Sequence, residues 1–437
     1  MSTVLTPTTD ERHTANGRSI RLIWLEMLIA GLVAAGLIFS RVPSAWLHAQ
    51  FYAEEGQDWY AQLHNFGWRG LFMLSGGYED LAGRLAAAFA LLFPLALGPL
   101  ILHLIALAVQ VLPVVLLFSG RFDRLVPALW AKVLLGVIYA LMPSTNELVG
   151  NMTNAQWHIA LLMFLVVIAS PTHARGWPIF DGAVIVIGSL SGPTSILLAP
   201  VAWLWWYLRR SRRGMLMAST ISALAGVQML LLLVFHGSRQ QGGALGASLQ
   251  NLLYIVTTHI YLAVTIGATN VSRLFFLTPL WHTAWIFVVI PLAGTVFLLY
   301  LAWRVPLELR LMLLYGALIF GAGLVSPLIV PPAHTTQWQA MGWPQVSVRY
   351  EYVLNLGWIA SLLWLVTSRS ALALRVLASL LLLAALLIAV PADWTIPAEA
   401  NMHFSRYVRA YEHTSPGASL TIPVYPPGRY MRLQRSR

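Results

Sequence analysis

The sequence predicts an all-α polytopic membrane protein with about eleven transmembrane helices. Of its 437 residues, 58% are hydrophobic and 10% are charged, whereas a soluble domain carries about 25% charged residues. Runs of about 20 apolar residues, long enough to cross a bilayer as a helix, recur along nearly the whole chain. These observations exclude a soluble enzyme, a disordered scaffold and a secreted disulfide domain. The absence of cysteine also excludes thiolate catalysis and Cys-ligated metal.

The basic residues lie between the apolar runs. In a soluble protein, a formal net charge of +11 would suggest nucleic acid as a partner. Arginines that flank apolar runs are instead typical of membrane anchors and topology signals. We therefore expect the chain to contact membrane lipid and no nucleic acid.

The first segment, residues 1–21, is predicted to be a cytoplasmic tail that precedes a span at Leu22–Phe39. A cleaved signal peptide has the same order of basic, apolar and small-residue regions. The apolar run of about 18 residues has no A-x-A-like exit, which favours a retained helix. The transmembrane domain then covers residues 22–391. Its further spans are predicted near 99–119, 131–149, 155–170, 214–235, 283–303, 311–330, 353–368 and 376–391.

Loop charges predict the orientation, because basic loops stay in the cytoplasm. The basic loops contain Arg121, Arg124, Lys132, His173, Arg175, Arg209, Arg210, Arg212, Arg213, Arg304, Arg310, Arg369 and Arg375. The outward loops are then 41–98, 150–154, 237–282, 331–352 and the short C-terminal tail 392–437. The N-terminus is expected inside and the C-terminus outside. Prolines in the tail predict a compact irregular cap or a short hairpin, and its arginines could contact anionic lipid headgroups.

Three stretches do not fit a simple alternation of spans. Leu81–Leu97 and Leu252–Gly267 are predicted to lie along the membrane surface or to re-enter the membrane from the outer side. Phe180–Leu208 begins and ends on the cytoplasmic side. A break at Ser191-Gly192-Pro193 would divide it into two short helices, which requires protein or a wet cavity around the exposed backbone. One long, kinked helix is equally compatible with the sequence.

Acidic residues concentrate in the first outward loop. Five of the sixteen acidic residues lie there, namely Glu54, Glu55, Asp58, Glu79 and Asp80. A carboxylate that is buried beside another has a raised pKa and is suited to deprotonate a hydroxyl group as a general base. An ordinary acidic loop in water is the alternative. Aromatic residues interleave with the acids, and they could stack against sugar rings.

Two arginines are candidates for binding a phosphate at headgroup depth. Arg84 starts an apolar stretch, and its planar guanidinium matches phosphate oxygens. It could instead extend to the membrane interface or pair with Asp80. Arg349 enters a helix at its outer end, where an interface anchor is the alternative reading.

The second outward loop is rich in uncharged hydrogen-bonding side chains. Its candidate residues for binding sugar hydroxyls are Asn151, Asn154, Gln156, Trp157 and His158. A plain connector between two apolar helices would not need so many amides. His158 is more often a satisfied interfacial histidine than a base.

This pattern resembles the GT-C superfamily of membrane glycosyltransferases. The resemblance rests on Glu54-Glu55-Gly56, Gly77-Tyr78 with Arg84, the loop Asn151–Trp157, and Ser191-Gly192-Pro193-Thr194. It implies a bacterial cytoplasmic-membrane enzyme with a polyprenyl-phosphate-linked sugar donor and a glycan or glycolipid acceptor. It further implies inverting transfer at the outer face, with Glu54 or Glu55 as base and arginine stabilising the leaving phosphate.

Several roles within that resemblance stay open. Asp58, Glu79 and Asp80 would orient the base or bind a divalent cation, the one cofactor that the resemblance makes possible. Many members carry an acid in the second outward loop, where this chain has amides and Glu147 nearby. A transporter of lipid-linked oligosaccharide is the alternative function, although it should show internal repeats, and none is evident. A non-catalytic assembly partner is a third.

Overall fold

The computed structural model describes residues 20–172, 174, 176–235, 242–277 and 285–435. It is mostly helical. Among the described residues, seven helices are long and apolar enough to cross a membrane, and five shorter apolar helices accompany them. These helices indicate a multi-pass membrane protein. Nearly all of the predicted cytoplasmic tail, residues 1–19, lies outside the described residues.

The first half of the chain alternates long helices with a folded loop. Its helices are α1 (Ile20–Arg41), α2 (Ser44–Leu47), α3 (Ala61–Phe66), α4 (Leu81–Ala90), α5 (Gly98–Phe118), α6 (Leu129–Ala140), α7 (Ala155–Ile168), α8 (Gly176–Ser189), α9 (Thr194–Arg209) and α10 (Arg212–Val234). A π-helix (Glu55–Tyr60) and 3₁₀ turns (Gly67–Phe72 and Leu95–Leu97) connect the short helices of the loop between α1 and α5.

The second half continues the bundle and ends in a hairpin. Its helices are α11 (Leu249–Ile255), α12 (Ala263–Ile266), α13 (Ala268–Leu277), α14 (Ile286–Arg304), α15 (Leu307–Val325), α16 (Gln337–Met341), α17 (Tyr352–Thr367), α18 (Leu372–Ala384), α19 (Val390–Asp393) and α20 (Phe404–Glu412). π-Helical segments join α11 to α12 (Val256–Leu262) and α18 to α19 (Ala385–Ala389). Strands β1 (Ser419–Val424) and β2 (Arg429–Gln434) pair antiparallel, with Ile422 opposite Met431.

Burial separates central helices from peripheral ones. α7 and α17 are buried on most faces, as expected for helices that are apolar all round and lie in the interior. α1 packs along α5 yet exposes Leu25, Leu28 and Leu32. An exposed apolar stripe of this length is costly in water and is favourable in contact with lipid tails.

The stretch from 180 to 208 forms two helices, so the reading with a break is correct. α8 ends at Ser189 and α9 begins at Thr194. Between them, Gly192 has φ +104°, a conformation that glycine adopts at little cost. Its N–H donates to the Glu79 carbonyl at 3.1 Å, and the Leu81 N–H donates to the Leu190 carbonyl at 2.9 Å. The break is therefore held by the first loop.

The other two unusual stretches differ from each other. In 81–97, α4 has ten residues, which is too short to cross a bilayer. Leu249–Ile266, by contrast, is a continuous helical stretch of 18 residues that is long and apolar enough to cross. The expectation of a surface or re-entrant segment there stays a prediction, and the length and composition also allow a full span. The seven-residue π segment continues the helix through Thr257, Thr258 and His259.

The C-terminal tail contains the expected short hairpin and also helix α20, which the sequence did not reveal. The Tyr425 N–H donates to the Phe51 carbonyl at 3.0 Å, and the Ala53 N–H donates to the Tyr425 carbonyl at 2.5 Å. Asn65 donates to the Arg432 carbonyl at 2.8 Å. The hairpin thus packs directly on the loop between α1 and α5.

Candidate functional site

The predicted acidic loop is a folded layer between α1 and α5. The π-helix begins directly after Glu54 and presents the next acids at closely spaced positions. Such π segments occur often at functional sites. Trp59 packs against Gly83, where an added Cβ would lie 2.6 Å from the indole ring. This close approach holds the π-helix against α4, so the carboxyl groups of both segments share one region.

Glu55 is completely buried, and its carboxylate contacts two backbone N–H groups and a histidine side chain. Its carboxylate accepts the Tyr52 N–H at 3.0 Å and the Met152 N–H at 2.5 Å. The His103 imidazole Nε2 lies 3.4 Å from the same carboxylate. These contacts join the first loop to the second and to α5. A carboxylate that is used in this way is a positioning group and has no exposed oxygen for a substrate.

Glu54 has a different environment. Its side chain is 29% exposed and pairs with Arg429 of the hairpin, with 2.8 Å between the charged atoms. Asp58, one turn further along, accepts a hydrogen bond from the Ser75 hydroxyl. Burial raises the pKa of Asp58, and the negative charge of Glu54 adds to this effect. Both residues can reach solvent, and Asp58 has the elevated pKa that suits a base.

Glu79 and Asp80 lie on the other side of this region. Burial raises the pKa of each to about 7, and Arg84 opposes the shift in both cases. Asp80 caps α4, accepting the Gly83 N–H at 3.2 Å. Glu79 is fixed by its backbone, because Gln228 on α10 accepts its N–H at 3.1 Å and donates to its carbonyl at 2.9 Å.

Arg84 is buried and only partly paired. Its Nη1 donates to the Gly70 carbonyl at 2.5 Å and to Gln62 Oε1 at 3.0 Å. Its Nε lies 3.4 Å from Glu79 Oε1. Neither Nε nor Nη2 has a hydrogen-bond partner within the part of the chain that the structure describes. Buried donors are rarely left unpaired. Nε faces the Glu79 carboxylate, so Nη2 is the nitrogen that marks a position for an anionic or hydroxyl oxygen.

Tyr78 and Gln156 close the region from the side of the helix break. Gln156 makes a side-chain hydrogen bond with Tyr78. Its Oε1 also fills the space beside Gly192, at 2.4 Å from where a Cβ would be. Burial raises the pKa of the Tyr78 hydroxyl, and the charges of Asp80 and Glu54 contribute. Of the predicted amides, Gln156 is therefore the one that adjoins the acidic cluster.

The other amides of the second loop bind their own backbone. Asn151 and Asn154 both donate to the Glu147 carbonyl, at 3.0 and 2.8 Å, and Asn154 also donates to Asn151. They shape the turn before α7, and the structure leaves them few groups for a sugar. Trp157 packs edge-on against Tyr350 with ring centroids 5.6 Å apart, and its indole N–H has no partner among the described residues.

His158 and Arg349 are bound within the protein. His158 Nδ1 lies 2.8 Å from the Tyr139 hydroxyl and 3.0 Å from that of Tyr352. Arg349 forms an ion pair with Glu147 at 2.9 Å and donates to the Leu328 carbonyl at 2.6 Å. Burial alone would lower the pKa of Arg349, but Glu147 and the neighbouring tyrosines raise it above its ordinary value. The structure thus groups Glu54, Asp58, Glu79, Asp80, Arg84 and Gln156, and places the remaining predicted residues around them as supports.

Four residues of this region were not among the predicted site residues. Ser75 and Gln62 lie in the same loop, where single polar residues give no distinct signal. Tyr78 belonged to the Gly77-Tyr78 motif but was not assigned a role. Arg429 lies 375 positions from Glu54 along the chain, and only the folded hairpin brings them together. Within the described residues, no group of three or more His, Asp or Glu side chains could hold a metal ion.

Comparison with known proteins does not identify a family for this chain, so the class of protein is defined here by the fold and the candidate site. No protein-family model, curated protein or solved structure matches the chain. The fold defines a multi-pass membrane protein, and the site is an acidic cluster with a buried, partly unpaired arginine next to the first turns of α5.

Proposed function

We propose that the protein is a membrane glycosyltransferase of the GT-C type. It transfers a sugar from a polyprenyl-phosphate-linked donor to an envelope glycan or glycolipid at the outer face of a bacterial cytoplasmic membrane. The observation that carries this proposal is buried Arg84, whose Nη2 has no hydrogen-bond partner among the described residues and whose Nε has only the ion pair with Glu79. Several carboxyl groups lie close to it. A guanidinium in a low-dielectric site stabilises a leaving phosphate strongly.

The reaction requires one general base and one cationic group that stabilises the negative charge on the leaving phosphate. A carboxylate takes the proton of the acceptor hydroxyl, whose oxygen forms a bond to the anomeric carbon. The bond from that carbon to the phosphate oxygen breaks on the opposite face, which inverts the configuration. The electron pair leaves with the lipid phosphate, and Arg84 stabilises the resulting negative charge. Glu54 and Asp58 are our candidates for the base, because Glu55 uses both of its oxygens in backbone contacts.

The residues of the cluster do not fit a bound divalent cation. Asp80 is used as a helix cap, Glu79 lies beside Arg84, and Asp58 binds Ser75. Among the described residues these acids do not converge as a set of three oxygen ligands. The proposed mechanism therefore contains no metal-dependent step.

The test is complementation of a deletion strain, with mass spectrometry of envelope glycans and lipid-linked sugars. The variants are Glu54→Gln, Asp58→Asn and Arg84→Gln, and the controls are Glu412→Gln and Arg406→Gln on exposed faces of α20. We expect deletion to remove one sugar while its polyprenyl-phosphate donor accumulates. Loss of the base should reduce product by about 10²–10⁴-fold, with both controls active.

Two outcomes would overturn the proposal. Full complementation by all three site variants at equal expression would show that the cluster takes no part in catalysis. Accumulation of complete lipid-linked oligosaccharides on the inner leaflet would identify a transporter, for which the acidic loop would be a gate.

A further inference from the structure

A cleft opens in the helical bundle at the end that carries the basic loops. It has a volume of about 240 Å³ and lies between α5, α6, α7, α15 and α17. Its lining is apolar and includes Leu117, Leu135, Leu161, Met312, Leu363 and Trp364. Water is a poor occupant of this space because ordered water needs several polar partners.

The depth of the cleft corresponds to one leaflet. On α6, the lining residues run from Ala128, at the start of the helix, to Tyr139 near its end. Eleven residues of helix rise about 16 Å, and half of the hydrocarbon core is about 15 Å thick. Trp130 and Trp364 lie on the walls near the loop end, where tryptophan is common in membrane proteins because it suits the headgroup boundary.

The mouth of the cleft carries a surplus of positive charge. Glu308 lines the cleft and is 8% exposed. The same carboxylate oxygen lies 3.1 Å from Arg124 Nη2 and 2.7 Å from Arg209 Nη2. Two guanidinium groups against one carboxylate leave a net charge of +1. Arg124 is 69% exposed and Arg209 is 38% exposed, so both remain accessible to a further anion.

We infer that this cleft binds an anionic phospholipid from the leaflet at the basic loops. One acyl chain occupies the apolar cleft, and the phosphate of the headgroup contacts Arg124 and Arg209. A zwitterionic lipid of the same chain length would fill the cleft equally well but would not complement the net charge. The site is separate from the acidic cluster and does not depend on the proposed glycosyl transfer.

The test is native mass spectrometry of the full-length protein with phosphatidylglycerol or phosphatidylcholine of identical acyl chains. We expect phosphatidylglycerol to be retained preferentially. Each arginine near a membrane surface contributes about fivefold to the binding of an anionic lipid. Arg124→Gln with Arg209→Gln should therefore reduce retention of phosphatidylglycerol about 25-fold and leave phosphatidylcholine unchanged. Arg304→Gln, an exposed arginine outside the cleft, is the matched control.

Two further variants separate the two parts of the site. Ala360→Phe fills the cleft without a change of charge and should reduce retention of both lipids. Glu308→Gln removes the competing carboxylate and should increase retention of phosphatidylglycerol about fivefold, whereas a purely structural ion pair predicts no such increase. Equal retention of the two lipids in wild type would overturn the inference. So would displacement by inorganic phosphate alone, or selective binding of undecaprenyl phosphate over phosphatidylglycerol.

Discussion

The two adjacent glutamates at the start of the π-helix should differ in how much the same substitution lowers the stability of the protein. Glu55→Gln should destabilise the protein, and Glu54→Gln should leave the stability almost unchanged. The reason is their environment, since Glu55 is fully buried and binds two backbone N–H groups, whereas Glu54 forms an exposed ion pair with Arg429.

The magnitude follows from those contacts. A glutamine at position 55 can still accept one N–H through its amide oxygen, but its NH₂ group then faces the other backbone donor. Loss of one hydrogen bond to a charged group costs about 1.5–3 kcal/mol, and loss of the charge also removes the partner of His103 at 3.4 Å. We expect a total of about 3 kcal/mol. Loss of the exposed Glu54 ion pair costs about 0–1 kcal/mol.

The assay is thermal unfolding of the detergent-solubilised protein, together with product formation in the complemented strain. One kcal/mol corresponds to about 2–4 °C in a protein of 150–250 residues, and to less in a longer one. At about 2.1 cal/mol/K of unfolding entropy per residue, a chain of 437 residues loses about 1 °C of Tm per kcal/mol. Glu55→Gln should therefore lower Tm by about 3 °C, and Glu54→Gln by about 1 °C or less. If Glu55→Gln melts within 1 °C of wild type, the assignment of Glu55 as a structural anchor is wrong.

Three further outcomes follow from the same region. Arg429→Gln should move the acidic limb of the activity profile to higher pH, because the Arg429 charge lowers the pKa of Asp58; Tm should change by about 1 °C. Burial raises the Asp80 pKa to about 7 from an unfolded value of about 3.9. Between these two pH values the folded state therefore keeps a proton that the unfolded state has lost, so Tm falls as pH rises. Asp80→Asn removes this titrating group and should make Tm depend less on pH. Gly192→Ala places a Cβ 2.4 Å from a side-chain oxygen at φ +104° and should cost about 1–3 kcal/mol of stability, whereas Gly226→Ala, with open space around it, should cost none.

Hydropathy locates the long apolar helices from the sequence because it is a local property; seven such helices are present among the described residues, and the count of about eleven spans stays a prediction. Arg212–Val234 and Ile286–Arg304 are long apolar helices at nearly the predicted positions. The break near Gly192 was visible as a Gly-Pro pair, but hydropathy could not distinguish two helices from one kinked helix. The distinction comes from the backbone bond between Gly192 and Glu79, which joins residues that are far apart in the chain.

The site was only partly predictable for the same reason. Charge density located Glu54, Asp58 and Arg84 in one loop, but composition does not say which carboxylate is used internally. The two oxygens of Glu55 are bound by N–H groups of its own loop and of Met152, about 100 residues away. Arg429 could not be predicted as a neighbour of Glu54, because the prolines of the tail predicted an irregular cap or a short hairpin but not where it would pack.

The acidic cluster and the lipid cleft lie at opposite ends of the same helix. α5 begins at Gly98, where an added Cβ would contact Phe51 and Tyr60 of the first loop, and Leu117 near its last turn lines the cleft. About twenty residues of helix separate these ends by about 30 Å. Substitutions so far apart usually have additive effects. Arg84→Gln should therefore abolish product without any change in phosphatidylglycerol retention, and non-additive behaviour with the Arg124 and Arg209 variants would show that α5 couples the two sites.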